Sequence, residues 1–275
     1  MTPVKPPARL WNLFSATVIG FAALGVFGRA GEMVRPYLVA RKEAVPVSGQ
    51  VGVWVVERSF DTLTLLVTSG FALAQLDPAA LGSSPVLGRV LHLGGSAIAF
   101  TTLAVVALLV GLRNLAEPAT GWLLRRLRFL SPARRTWVER TLATFVDGSR
   151  GLRSLRTLFA CSLYSLAEWI LIALCYGAVF NSFSGGLRLS LSQVLIFMGA
   201  VMAGSMVQIP GIGGGIQVAS LLVLTELFAV QPETAAGIAL LVWVFTFLAV
   251  VPPAIPLILY EGLSWRQLRR LDLEG

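Results

Sequence analysis

The chain is short of the residues that carry catalysis and metal binding. It contains two cysteines and one histidine among 275 residues. Cys161 and Cys175 lie about four helical turns apart in one apolar run, where a disulfide cannot close, so they read as two buried thiols used as small apolar side chains. With His92 alone, a His/Cys metal site lacks ligands. No Gly-x-Ser-x-Gly elbow and no Ser/His pairing stands out, which argues against a hydrolase. The expectation is a protein without cofactor or metal, and not an enzyme.

Charge is scarce as well. Only 13% of residues are charged and 56% are hydrophobic, against roughly 25% and 45–50% in soluble domains. Mean hydropathy is +0.77. No long polar stretch offers a second, soluble domain. Lysine is nearly absent: 20 of the 22 basic residues are arginine, and the net charge is +8. In a soluble protein that excess would suggest nucleic acid. Beside long apolar runs it marks cytoplasmic loops and anionic-lipid contact instead, so no nucleic-acid partner is expected. A cleavable signal peptide is not indicated, because Arg29 and Glu32 follow the apolar stretch Trp11–Gly28 where small residues would be needed.

What is present is apolar sequence in spans. A helix needs about 20 residues to cross roughly 30 Å of hydrocarbon. Runs of that order are Val51–Gln75, Val90–Leu112, Thr157–Phe180, Leu191–Ile209 and Thr234–Tyr260, with shorter ones at Trp11–Phe27 and Ile216–Val230. The expected fold is therefore all-α: a polytopic membrane protein of about five full transmembrane helices plus two re-entrant or broken helical hairpins. It forms one domain over residues 1–275, with a first half at 10–112, an Arg-rich loop at 113–156 and a second half at 157–262.

The arginines set orientation. Residues 113–156 hold ten arginines and three acids (Glu117, Glu139, Asp147), which places this loop in the cytoplasm. Val138, Leu142, Phe145, Ser149 and Leu152 repeat at helical spacing, so part of the loop is either an amphipathic helix on the membrane or a solvated connector. Arg9 and the Arg35, Arg41, Lys42 stretch then prefer the same, cytoplasmic side. A re-entrant hairpin satisfies both: Trp11–Phe27 enters, the chain turns near Gly28, and Glu32–Ala40 returns. Arg266, Arg269 and Arg270 place the C-terminus inside, so residues 191–230 begin and end outside, as a dipping hairpin or as two crossings. Hairpin and span, repeated in the opposite sense, is an inverted-topology repeat, and broken helices at matching positions point to a site near the midplane.

Charges inside apolar segments cost about 2.5–3.5 kcal/mol each and so either pair or line a polar cavity. Arg29, Glu32 and Arg35 recur at three-residue spacing, a net positive face suited to a phosphate or carboxylate, or else an interfacial turn. Glu57, Arg58 and Asp61 begin the next span. Glu57 and Asp61 are like charges at i, i+4 and need a cation opposite, for which Arg29 or Arg35 is nearest in chain order. Glu168 lies alone at the middle of Thr157–Phe180. In the second hairpin, Gln208, Pro210, Gly211, Gly213, Gly214 and Gln217 form a glycine-rich break whose free amides could meet an anion, or whose small residues allow close helix packing.

These residues also carry a resemblance. Arg29-Ala-Gly-Glu-Met-Val-Arg-Pro36, then Arg41-Lys42, then Val56-Glu-Arg-Ser-Phe-Asp61 resemble elements of the lysylphosphatidylglycerol synthase transmembrane-region family, a flippase-like membrane domain. Pro210-Gly-Ile-Gly-Gly-Gly-Ile-Gln217 is similar to that family's Pro-Gly-Gly element, and Glu233-Thr-Ala-Ala with Val242-Trp-Val-Phe-Thr-Phe247 to its closing helix. The likeness runs from about Asn12 to Leu259. Three departures stand out: the family's usual earlier membrane helices do not precede this point, which suggests a shortened start; Phe27 stands where a proline often precedes the Arg-x-Gly-Glu element; and Trp243 stands where many members place an arginine. The soluble aminoacyl-transferase domain is also lacking.

The resemblance implies an integral protein of the cell (inner) membrane that translocates or binds a phospholipid or lipid-linked head group. Its partners would be membrane lipids, either an anionic phospholipid or a polyprenyl-phosphate lipid, and a homo-oligomer is compatible with it. On this reading Arg29 and Arg35 contact the phosphate, Glu32, Glu57, Arg58 and Asp61 organise a polar cavity, and the glycine hairpin closes it. A cationic head group would instead be drawn to Glu57, Asp61 or Glu168. The alternative is a membrane-embedded transferase acting on polyprenyl-phosphate-linked substrates.

Overall fold

A computed structural model describes residues 8–75, 85–126, 131–183, 187–209 and 213–261. Among the described residues the long apolar runs form helices. Helix α1 (Leu10–Phe27) stops at Gly28, whose φ of 65° only glycine adopts readily, and a 3₁₀ segment (Gly28–Met33) turns the chain into α2 (Val34–Lys42). The two arms pack side by side: a Cβ on Gly20 would lie 2.7 Å from the Cβ of Arg35, and Gly31 sits against the backbone of Ala23. Their open ends are tied by Asn12 Nδ2, which donates to Glu43 Oε1 at 2.8 Å. Residues 10–42 are therefore the expected hairpin, with both ends on one side. Length and composition alone would make the same stretch a single span.

Three further stretches are long and apolar enough to cross a membrane: Leu93–Asn114 in α4 (Pro85–Asn114), α7 (Leu155–Asn181) and Pro232–Tyr260. The last comprises α10 (Pro232–Trp243), a π-helical segment (Val244–Leu248) and α11 (Val251–Tyr260). Helix α3 (Val47–Ala74) has the length, 28 residues, but carries Glu57, Arg58 and Asp61. Leu191–Ile209, expected as a continuous run, is helical only as α8 (Leu191–Ser205). Fifteen residues reach about 22 Å, short of the hydrocarbon thickness. A two-residue ribbon then pairs Gln208 with Gly214 and Ile209 with Gly213, and α9 (Gly215–Leu222), prolonged by a π segment to Leu227, returns. Residues 191–227 are thus a hairpin and not two crossings. Gly204 and Gly215 lie backbone against backbone between its arms, which leaves no room for a methyl on either.

The two hairpins enter from opposite ends of α3. The first opens beside the start of α3. The second lies along the far part of α3, where Ser69 Oγ donates to the Leu195 carbonyl at 3.0 Å. Their tips meet: Arg29 Nη2, in the first turn, donates to the Ser205 carbonyl at the end of α8, 2.9 Å away. One apolar core gathers around the second hairpin, with Phe197, Met198, Leu224, Ile238 and Val242 almost wholly buried, and Phe180 edge-on to Phe197 at 5.1 Å. A smaller one joins Ala16, Ile19 and Ala23 to Val34, Leu38 and Val39 inside the first hairpin.

The Arg-rich loop is itself helical, as α5 (Ala116–Arg126) and α6 (Pro132–Ser149), ending in a 3₁₀ turn at Arg150–Arg153. It is neither a solvated connector nor a helix merely resting on the membrane. The face carrying Val146, Ser149 and Leu152 is buried. Gly52 of α3 abuts the Phe145 carbonyl, and Gly148 of α6 abuts Gly49. The cysteine expectation also needs correcting: Cys161 is half-buried and Cys175 is exposed, because only one face of α7 packs on the bundle. Pro210, Gly211 and the C-terminal arginines lie outside the described residues.

Candidate functional site

Between α3, α6, the 3₁₀ turn after it and α7 lies a cleft of about 430 Å³. Most of its wall is apolar, from Val53, Val56, Phe60, Leu152, Leu158 and Tyr164. Its charged wall consists of Glu57 and Asp61 from α3 and Glu168 from α7, with no arginine or lysine among the described lining residues. Glu57 and Asp61 reach it because i, i+4 residues share a helix face. Glu168 reaches it from the one face of α7 that turns toward α3, together with Ser165 and Cys161, one and two turns before it.

Asp61 is the buried member, 4% exposed. Ser165 Oγ donates to its Oδ1 at 2.9 Å and lies 3.1 Å from Thr64 Oγ1, so α3 and α7 are joined through this carboxylate. Arg58 Nη2 stands 2.9 Å from Asp61 Oδ2 and 3.6 Å from Glu57 Oε1. Arg35, from the first hairpin, donates to Glu57 Oε1 at 2.7 Å. The cation that the Glu57/Asp61 pair requires is thus supplied twice, by Arg35 across the hairpin and by Arg58 in the same helix. Glu168 has no ion pair or hydrogen bond among the described residues. It is the one wall carboxylate to which no ion pair ties an arginine there.

Arg29 and Glu32 belong to a second cluster. They pair with each other, and Arg29 also caps α8 through the Ser205 carbonyl and lies 3.3 Å from Ser205 Oγ. They do not line the cleft. The glycine break is organised by its own backbone: Gly214, at φ 104°, donates its N–H to Gln217 Oε1 at 2.7 Å, which spends that side chain on the turn. Gln208 pairs with Gly214 and Ile209 with Gly213 in the ribbon, and the Gln208 side chain lies outside what is described. The residues singled out from the sequence therefore fall into two groups. Glu57, Asp61 and Glu168 line the cleft, with Arg35 and Arg58 paired to its carboxylates; Arg29, Glu32 and the glycine break stand at the meeting of the hairpins.

Sequence reasoning missed Ser165. A serine in an apolar helix carries little signal, but its position three before Glu168 puts both on one face. It also missed Lys42, which bonds Ser15 and Glu261 and thereby ties the first hairpin to the end of α11. No curated protein and no solved structure matches the chain. The family model described as the lysylphosphatidylglycerol synthase TM region matches residues 2–254, and with the cleft, both hairpins and all but the end of the last span lying within that stretch, the chain belongs to this family of multi-pass membrane proteins.

Proposed function

We propose that the chain binds a lipid head group in the α3–α6–α7 cleft and passes it between leaflets. The observation that carries this reading is the wall itself: three carboxylates at the middle of long helices, set in an otherwise apolar cleft of a size to admit a head group. Charged groups so placed mark substrate pathways. Ammonium or hydroxyl groups of the head group bond Glu168 and Glu57, and Arg35 and Arg58, each tied to a wall carboxylate, give countercharge to the lipid phosphate. The apolar walls take the first acyl or prenyl carbons. On this reading the cleft acts as a binding and passage element, with Ser165 and Asp61 joining its two helical walls. The Arg-rich helices support a cell-membrane protein with that loop and the C-terminus in the cytoplasm.

The test is leaflet-resolved translocation of fluorescent phospholipids and polyprenyl-phosphate lipids in liposomes. Wild type should move at least one class faster than empty vesicles. Glu168→Gln should slow it about tenfold or more, the worth of one charge-assisted hydrogen bond. Transport at the rate of empty vesicles for every lipid would overturn the reading, and an unchanged Glu168→Gln rate would move the site elsewhere.

A further inference from the structure

Helices α5 and α6 expose a basic, aromatic surface that the cleft does not use. Trp122 on α5 is 59% exposed and Trp137 on α6 is 67% exposed. Arg125, Arg126, Arg134, Arg135 and Arg140 are exposed alongside them. On α6, Trp137 and Arg140 lie on the side opposite Leu142, Val146 and Ser149, the side turned to α3. An indole so exposed to water is unfavourable, whereas at head-group depth its ring is apolar-solvated and its N–H is wet. Exposed guanidinium groups add attraction to anionic head groups, about 1 kcal/mol or fivefold per residue.

The surface is held where such head groups are. Helix α5 begins two residues after the end of the apolar α4, and α7 begins two residues after the 3₁₀ turn that follows α6. Both ends of the pair are therefore fixed at membrane level. At its other face α6 meets α3 through Gly148 and Gly52, and the same stretch, Gly148, Ser149 and Leu152, forms one wall of the cleft. We infer that the α5–α6 pair is a binding surface for anionic phospholipid of the surrounding leaflet, separate from the cleft, and that lipid bound there steadies the cleft wall through the glycine contact. This holds whatever the cleft carries.

Tryptophan quenching tests it without any transport measurement. The full chain is reconstituted in phosphatidylcholine vesicles containing the same small mole fraction of brominated phosphatidylglycerol or brominated phosphatidylcholine. The Trp122 and Trp137 signals are taken as differences from Trp122→Phe and Trp137→Phe. Brominated phosphatidylglycerol should quench them about fivefold more effectively. The preference should fall in Arg134→Gln/Arg135→Gln/Arg140→Gln, which leaves Arg125 and Arg126, and vanish at about 1 M salt, where the Debye length is about 3 Å. The corresponding triple lysine variant, which keeps the charge, should retain it, so that a folding defect is told apart from lost recognition. Equal quenching by the two lipids overturns the inference. Salt-sensitive binding of fluorescent polyglutamate that persists in phosphatidylglycerol vesicles also overturns it, in favour of an acidic protein partner.

Discussion

Ser165 on α7 donates a 2.9 Å hydrogen bond to Oδ1 of Asp61 on α3. The same hydroxyl lies 3.1 Å from Thr64 Oγ1 of α3, so this serine fixes the register of the two helices at the cleft. Ser165→Ala leaves a buried carboxylate oxygen without its donor and should cost about 1–3 kcal/mol. Ser165→Thr, which keeps the hydroxyl, should recover part of it. SDS-titrated unfolding in micelles measures both, and equal stability of all three proteins would show that the bond does not hold the helices.

The contact between α3 and α6 gives a sharper contrast. A methyl at Gly52 would run into the Phe145 carbonyl, and one at Gly148 into the Gly49 carbonyl. Gly52→Ala and Gly148→Ala should each destabilise by about 1–3 kcal/mol through overpacking. Gly111→Ala in α4, where nothing stands within 4 Å, should instead stabilise by up to about 1 kcal/mol through helix propensity. The opposite signs are the expected result in the same unfolding assay.

Gly28 turns the first hairpin at φ 65° and ψ −148°, a region that is essentially glycine-only. Gly28→Ala should cost about 1–3 kcal/mol. It should also raise the accessibility of a cysteine introduced at Met33 to a membrane-impermeant thiol reagent, because the turn cannot close fully. Unchanged labelling would mean that the turn tolerates a Cβ.

Lys42 and Glu261 form an ion pair with side-chain exposures of 15% and 12%. Removing either partner leaves the other buried, so Lys42→Met and Glu261→Gln should each lose about 3–5 kcal/mol. The double variant should lose less than the sum, with a coupling energy of about 0.5–3 kcal/mol in a double-mutant cycle. Additivity would show that the two side chains do not meet in the membrane.

The first hairpin was legible because charge speaks plainly in an apolar sequence. Arg9 at one end and Arg41 and Lys42 at the other had to share a side, and Gly28 marked the turn. The second hairpin was legible as a break at the glycine run, but its depth depended on where α8 ends, and the run to Ile209 hides the stop at Ser205. That a cation must face the Glu57/Asp61 pair followed from electrostatics, but chain order left Arg29 and Arg35 as equal candidates, and it is Arg35 that pairs with Glu57. The fit of α6 onto α3 did not, since the helical repeat of Val138, Leu142, Phe145 and Ser149 serves a lipid surface and a helix neighbour equally. The decisive signal was Gly49-x-x-Gly52 with Gly148, small residues whose meaning appears only once the helices are paired. Ser165 and Glu261 were illegible for the same reason: their partners lie 104 and 219 residues away.

The contact between Arg29 and Ser205 spans 176 residues of sequence. During synthesis at about 5–20 residues per second, roughly 10–35 s separate the emergence of the two. Through that interval the first hairpin must lodge in the bilayer with its tip partner still unmade, and a lone guanidinium there would cost about 2.5–3.5 kcal/mol. Glu32, one turn away and emerging at once, neutralises it. The Arg29–Glu32 pair thus serves biogenesis before it serves the finished fold: it lets the N-terminal half wait, electrically quiet, for the half that completes it.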